Sequence, residues 1–243
     1  MTTVQLFHTC LINEIEPEVG LAVVRVLERL GCRVEVPLSQ TCCGQPAYNA
    51  GFHGEARAAA RHTLAVLEAT EGPIVIPSGS CGDMLIHQYD VLFHDEPGWR
   101  AKAQAVQARC HEFSHFVYDR LDGTTLGARL RARVAYHPSC HLLRGLGVRT
   151  PPLHLLRAVE GLELREVADG DDCCGFGGLF SVKNPEISGD MMTRKLEHVE
   201  AAGADRLVSC DMGCLLHLSG GLRRRGSTLK VQHLAQLLDE ALP

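Results

Sequence analysis

Two hydrophobic rhythms alternate along this chain. Val4–Phe7, Cys32–Pro37 and Pro73–Pro77 are short apolar or alternating runs that predict strands. Between the first two, Val19, Ala22, Val23, Val26, Leu27 and Leu30 recur at helical spacing, with Pro17 to open the helix and Gly31 to end it. Between the second and third, residues 54–69 place Ala59, Ala60, Thr63, Leu64 and Leu67 on one face. Residues 82–130 then read as mostly helical, with a break at Glu96-Pro97-Gly98.

The same order begins again at Arg133–His137. A helix from about Pro151 to Val159 and a strand near Leu162–Val167 follow. Asn184-Pro185-Glu186 opens a helix to about Ala202, and Arg206–Ser209 is the next strand. A short helix follows Cys214, and Leu229–Val231 reads as a last strand before a helix carrying Leu234, Leu237, Leu238 and Ala241. Strands alternating with amphipathic helices predict parallel sheets joined by right-handed crossovers. The expected fold is α/β, with two pseudo-symmetric βαβαβ halves and a cysteine loop at the C-terminal end of each strand. The expected boundaries are a first cysteine-rich repeat at 1–95, a helical connection at 96–130 and a second repeat at 131–243.

The cysteines report the duplication independently. Thr41-Cys42-Cys43-Gly44 and Asp172-Cys173-Cys174-Gly175 each carry an adjacent Cys pair followed by Gly. Each has a Cys upstream (Cys10, Cys140) and another downstream (Cys81, Cys214), and the offsets between copies are 130, 131, 131 and 133. All strand C-termini of a parallel sheet share one edge, where ligands collect. The topology therefore gathers Cys10, Cys42, Cys43 and Cys81 at one edge, and Cys140, Cys173, Cys174 and Cys214 at another. Cys32 and Cys110 match nothing at these edges. Cys210 has no thiol counterpart, since Pro77 or Ser78 stands nearest to it in the first copy.

Composition narrows the chemistry. A formal charge of −5, with no basic stripe beyond Arg223-Arg224-Arg225, argues against nucleic acid as a partner. No apolar run approaches the ~20 residues of a membrane span, and the opening residues read as a strand. The expected compartment is the cytoplasm, where eleven cysteines suit metal or redox chemistry better than a disulfide framework. Four converging thiolates suit zinc or an iron–sulfur cluster. Adjacent cysteines point to opposite sides of extended backbone and grip a single ion poorly, whereas a cluster offers several irons. Gly44 and Gly175 let the backbone wrap a bulky core, and these features favour iron–sulfur. His111, Phe113, His115, Phe116 and Tyr118 read as a packed helix face. His8, His137, His141 and Arg144 stand near the cysteine loops and are candidates for substrate contact, with hydrogen bonding to a cluster or plain packing as the alternatives. The chain shows no Gly-x-Gly-x-x-Gly after a strand, so no flavin or nicotinamide site is expected.

This spacing, with Thr41–Asn49, Cys173–Gly178, Asn184–Ile187 and Asp211-Met212-Gly213-Cys214, resembles the tandem cysteine-rich CCG domain, and most closely the lactate utilisation protein A family. The CCG domain also occurs in heterodisulfide reductase and in the iron–sulfur components of glycolate and anaerobic glycerol-3-phosphate oxidation. The resemblance implies two clusters of the [4Fe-4S] kind, held by the eight repeat-matched cysteines. It further implies an electron-transfer component of L-lactate oxidation to pyruvate, working with partner subunits of which one is a ferredoxin-type protein. Whether hydroxyacid chemistry occurs on this polypeptide is not visible in the residues. Heterodisulfide reductase carries five thiols per site. Ser78-Gly79-Ser80-Cys81 lacks the fifth, and Cys210 and Cys214 are four apart instead of three, which puts disulfide reduction in doubt for the first site. A thiol–disulfide reductase and a structural zinc protein remain the alternative functions.

Overall fold

The computed structural model describes residues 2–120 and 127–243. Among these described residues, eight strands form two four-stranded, all-parallel sheets. The first contains β1 (Thr2–Leu6), β2 (Cys32–Glu35), β3 (Ile74–Ile76) and β4 (Cys110–Glu112), in the order β2-β1-β3-β4. The second contains β5 (Arg129–Tyr136), β6 (Glu160–Arg165), β7 (Arg206–Ser209) and β8 (Lys230–His233), in the order β6-β5-β7-β8. The two orders are identical when one copy is laid on the other, as the cysteine offsets require.

The pattern holds in the central strands for a physical reason: Ile74, Val75 and Ile76 are fully buried, so helices cover both faces of the sheet. The helix Pro17–Arg29 buries Val19, Ala22, Val23, Val26 and Leu27, and His53–Glu68 buries Ala60, Thr63, Leu64 and Leu67. Pro185–Ala201 also begins at the expected proline, although the Asn184 side chain makes no capping hydrogen bond.

Three local readings are corrected. The stretch 96–130 is not merely helical, since Cys110–Glu112 pairs in parallel with Ile74–Ile76 as the fourth strand of the first sheet. Residues 121–126 of that stretch lie outside the described residues. Cys10 does not sit in an open loop but begins a short helix, Cys10–Ile15. The helix over Cys214 is not short: it runs Met212–Arg224.

The halves do not keep separate cores. One cluster joins Val4, Leu6 and Val26 of the first half to Val134, Tyr136, Leu155 and Leu237 of the second. It arises by exchange. Helix Leu234–Ala241 of the second half packs on Pro17–Arg29 of the first, and Phe113–Arg120 of the first packs on Thr150–Arg157 of the second. Arg25 Nε donates to Asp239 Oδ2 (2.8 Å) across the first contact, and the Tyr118 and His154 rings meet edge to face across the second.

Candidate metal centre

Each cysteine loop begins where a strand stops, and three such loops per half bring the repeat-matched thiols together. In the first half, Cys10 opens a helix after β1, Cys42 and Cys43 follow β2, and Cys81 lies in the first turn after β3. In the second half, Cys140, Cys173, Cys174 and Cys214 occupy the matching places. Cys43 Sγ lies 3.4 Å from Cys81 Sγ, and Cys174 Sγ lies 3.2 Å from Cys214 Sγ. In both copies the inner pair is buried and the outer two thiols are partly exposed.

Gly44 and Gly175 hold these loops in place. Both have positive φ, +86° and +90°. A side chain at Gly175 would press within 2.5 Å of Ser188 O, and one at Gly44 within 3.1 Å of Ala56 O. The same turn points each glycine N–H at the first thiol of the pair, 3.4 Å to Cys42 Sγ and 3.4 Å to Cys173 Sγ. Thr9 adds a third device: at φ 57° it occupies a conformation that β-branched residues rarely adopt, and it turns the chain so that Cys10 starts a helix.

The eight thiols face one space. A cavity of about 290 Å³ is lined by all four cysteines of each half, together with Gln45, His141 and Asp211. This convergence goes beyond the expectation of two separate edges. It follows from the seam between halves, where Asp211 Oδ2 accepts from Ser78 Oγ (3.1 Å) and Ser80 N (2.9 Å), and Asp211 Oδ1 accepts from Gly213 N (3.1 Å). One carboxylate thus caps the cysteine helices of both copies. Gln45 Nε2 and His141 Nε2 meet at 3.4 Å, again across the seam. Sequence reasoning gave Gln45, Asp211 and Ser78 no role of their own, although each stands within four residues of a matched cysteine. That adjacency was their only signal.

Electrostatics repeat as well. Cys42 is pulled down to about 2 by hydrogen bonds from the Cys10 and Cys43 thiols, and Cys173 to about 2 by Cys140 and Cys174. Cys10 and Cys140 are pushed up by sharing a proton with those thiolates and by burial. Each quartet therefore presents one thiolate ready for a metal, and further binding releases protons.

The remaining candidates divide. His141 lines the cavity, and Cys140 Sγ lies 3.7 Å from its Nδ1. His137 sits behind Cys174 and Cys214, fully buried. His8 turns to backbone, with Nδ1 3.3 Å from Thr9 O, and Arg144 donates to Asp171 O; neither lines the cavity. Cys32 is buried in the shared core, and Cys110, pushed up to about 12 by burial, lies 3.3 Å from Val106 O. Cys210 Sγ points away from the cavity toward Tyr136 Oη, 3.7 Å distant.

Comparison with known proteins shows the family. The cysteine-rich domain model, CCG, matches residues 4–86 and 134–219. Lactate utilization protein A from Exiguobacterium sp. is 42% identical over all of this chain and 99% of its own length. The protein of the same name from Geobacillus kaustophilus is 46% identical over 97% of this chain and 98% of its own. A crystal structure of a hypothetical protein from Helicobacter pylori shares the fold, with a TM-score of 0.69 at 13% identity; the match covers 99% of this chain and about half (49%) of that one. The chain accordingly belongs to the family of lactate utilization protein A, built from two CCG cysteine-rich domains.

Proposed function

We propose that this chain is an iron–sulfur electron-transfer component of a system that oxidises L-lactate to pyruvate, acting in the cytoplasm with partner subunits that include a ferredoxin-type protein. The observation that carries the reading is the convergence of eight thiols on one cavity, backed by glycines whose N–H groups face the thiols. Buried, mutually hydrogen-bonded thiols with a preformed thiolate in each quartet suit a soft, polynuclear metal group. The residues that would hold it are Cys10, Cys42, Cys43 and Cys81 on one side and Cys140, Cys173, Cys174 and Cys214 on the other, as two [4Fe-4S] clusters. Such a cluster supplies one-electron storage. The chain's own contribution is to exclude water behind the inner cysteines, donate Gly44 and Gly175 N–H to sulfur, and keep the two groups facing one another. The relatives' shared name ties this redox role to lactate.

No helix among the described residues is long and apolar enough to cross a membrane. The test is anaerobic purification with iron, zinc and acid-labile sulfide measured together. Iron and sulfide in equal amounts, with visible absorption that bleaches on reduction, are expected. Stoichiometric zinc without sulfide would overturn the reading in favour of a structural metal protein.

A further inference from the structure

We propose that His137 is a metal ligand, which with Cys174 and Cys214 forms a mixed nitrogen–sulfur site that the first half lacks. His137 directly follows β5, and its backbone N–H donates to Val208 O (2.8 Å), which holds its main chain against β7. The side chain is 1% exposed, and neither Nδ1 nor Nε2 has a hydrogen-bond partner among the described residues. A ring nitrogen, Cys174 Sγ and Cys214 Sγ all lie within 4.8 Å of one another. A buried imidazole with both nitrogens unanswered calls for something to complete it, and neutral imidazole beside thiolates is a common metal donor set. The ring does not line the cavity, so it reaches the two sulfurs from the protein side.

The matching position in the first half is Phe7, also three residues before the leading cysteine and fully buried against Cys43 and Cys81. Phe7 has no donor atom. The two copies thus share four thiols, and the second places a nitrogen beside them where the first has none. The ligand assignment holds for any thiophilic divalent metal; its bearing on a cluster rests on the iron–sulfur reading above.

The full chain, labelled with 15N-histidine and loaded with 113Cd²⁺ after thiol reduction, tests the assignment directly. A one-bond 113Cd–15N coupling to one imidazole is expected, lost in His137→Phe and in His137→Gln but kept in His141→Gln. Pulsed EPR of the reduced, iron-loaded chain should likewise show a strongly coupled 14N that disappears in His137→Gln while iron is retained. Cadmium bound to thiolate without any nitrogen coupling would overturn the proposal, as would weak 14N couplings alone, the signature of a hydrogen bond only. If iron fails to load yet the cadmium–nitrogen coupling is present, the iron–sulfur reading falls and His137 stands.

Discussion

The two thiol quartets share a backbone and differ in what stands behind them. In the first half, Tyr89 Oη donates to Cys43 O (2.8 Å), and Thr63 Oγ1 reaches toward Cys42 O (3.5 Å). In the second, Lys195 occupies the place of Thr63, seven residues beyond the helix contact with the glycine, and its Nζ donates to Asp169 O (2.9 Å) and Gly170 O (3.0 Å). Burial pushes this ammonium down from its ordinary value, while the neighbouring Asp172, Cys174, Asp171 and Cys173 pull the other way. Ser188 and His217 add polar contacts under Gly175 where the first half has alanine under Gly44. The lesson is that duplication preserved donor geometry while the surroundings diverged, and it is the surroundings that set charge and potential.

The sharpest break between the halves comes from removing one ligand at a time. Cys43→Ser and Cys174→Ser should each lose about half the bound iron, with different residual spectra because a different site survives. Cys214→Ser should behave like Cys174→Ser. Cys210→Ser should keep full iron, since its thiol faces Tyr136 and not the cavity. Iron and sulfide analysis of the four proteins decides this, and iron loss from Cys210→Ser with retention in Cys214→Ser would exchange those two assignments.

Next in size is the glycine pair. Gly175→Ala forces a methyl to 2.5 Å from Ser188 O at positive φ, against 3.1 Å from Ala56 O for Gly44→Ala. The expected losses of stability are about 4 and about 2 kcal/mol respectively, read from urea midpoints. Equal losses would show that φ alone, and not the close approach, sets the requirement.

The same comparison tells how much was legible in the residues. The duplication, the parallel sheets and the gathering of Cys10, Cys42, Cys43 and Cys81 followed from offsets and topology, because a shared strand edge leaves those thiols little choice. Strand β4 was hidden: Cys110-His111-Glu112 is three residues long, two of them polar, and too short for any periodicity. The single cavity was hidden for a deeper reason. Which surfaces two repeats turn toward each other depends on contacts such as Asp211 to Ser80 N, and no spacing rule encodes them.

A third comparison concerns two buried groups at matching positions, the last residues of β4 and β8. Glu112 Oε2 accepts from His115 N (3.1 Å) and His233 Nδ1 accepts from Ala235 N (3.1 Å), so each caps the helix that follows. Burial pushes Glu112 up to about 7 from 4.5 and His233 down to about 4 from 6.5. Between pH ~4.5 and ~7 the folded chain holds a proton on Glu112 that the unfolded chain has released, so stability falls as pH rises, by about 3 kcal/mol in all. Between ~6.5 and ~4 the unfolded chain takes up a proton that buried His233 refuses, so stability falls as pH drops. The two windows overlap between pH ~4.5 and ~6.5, where the slopes oppose each other, so urea midpoints of the metal-free, thiol-reduced chain should rise more steeply with pH there in Glu112→Gln. In His233→Asn the rise should flatten, with His137, also held down to about 4, keeping part of it. An unchanged slope in either variant breaks the assignment for that half.

The smallest effect separates the seam's two caps. Asp211→Ala removes three acceptor contacts serving both halves and should cost about 2 kcal/mol, whereas Ser78→Ala, capping one helix, should cost about 1. A double mutant that loses less than the sum would measure their coupling through the 3.1 Å bond.

The exchanged helices also set a timetable for synthesis. Pro17–Arg29 is made long before Leu234–Ala241, the helix that covers it, and the ion pair across them spans 214 positions of sequence. Until ribosomes have finished that distant helix, Ala22, Val23 and Val26 lack part of their cover. Closure must then join segments of very large sequence separation, which is slow and leaves apolar surface open to neighbouring nascent chains. Fast overproduction should therefore drive this chain into aggregates sooner than slow induction in the cold, and co-expressed chaperones should narrow the difference.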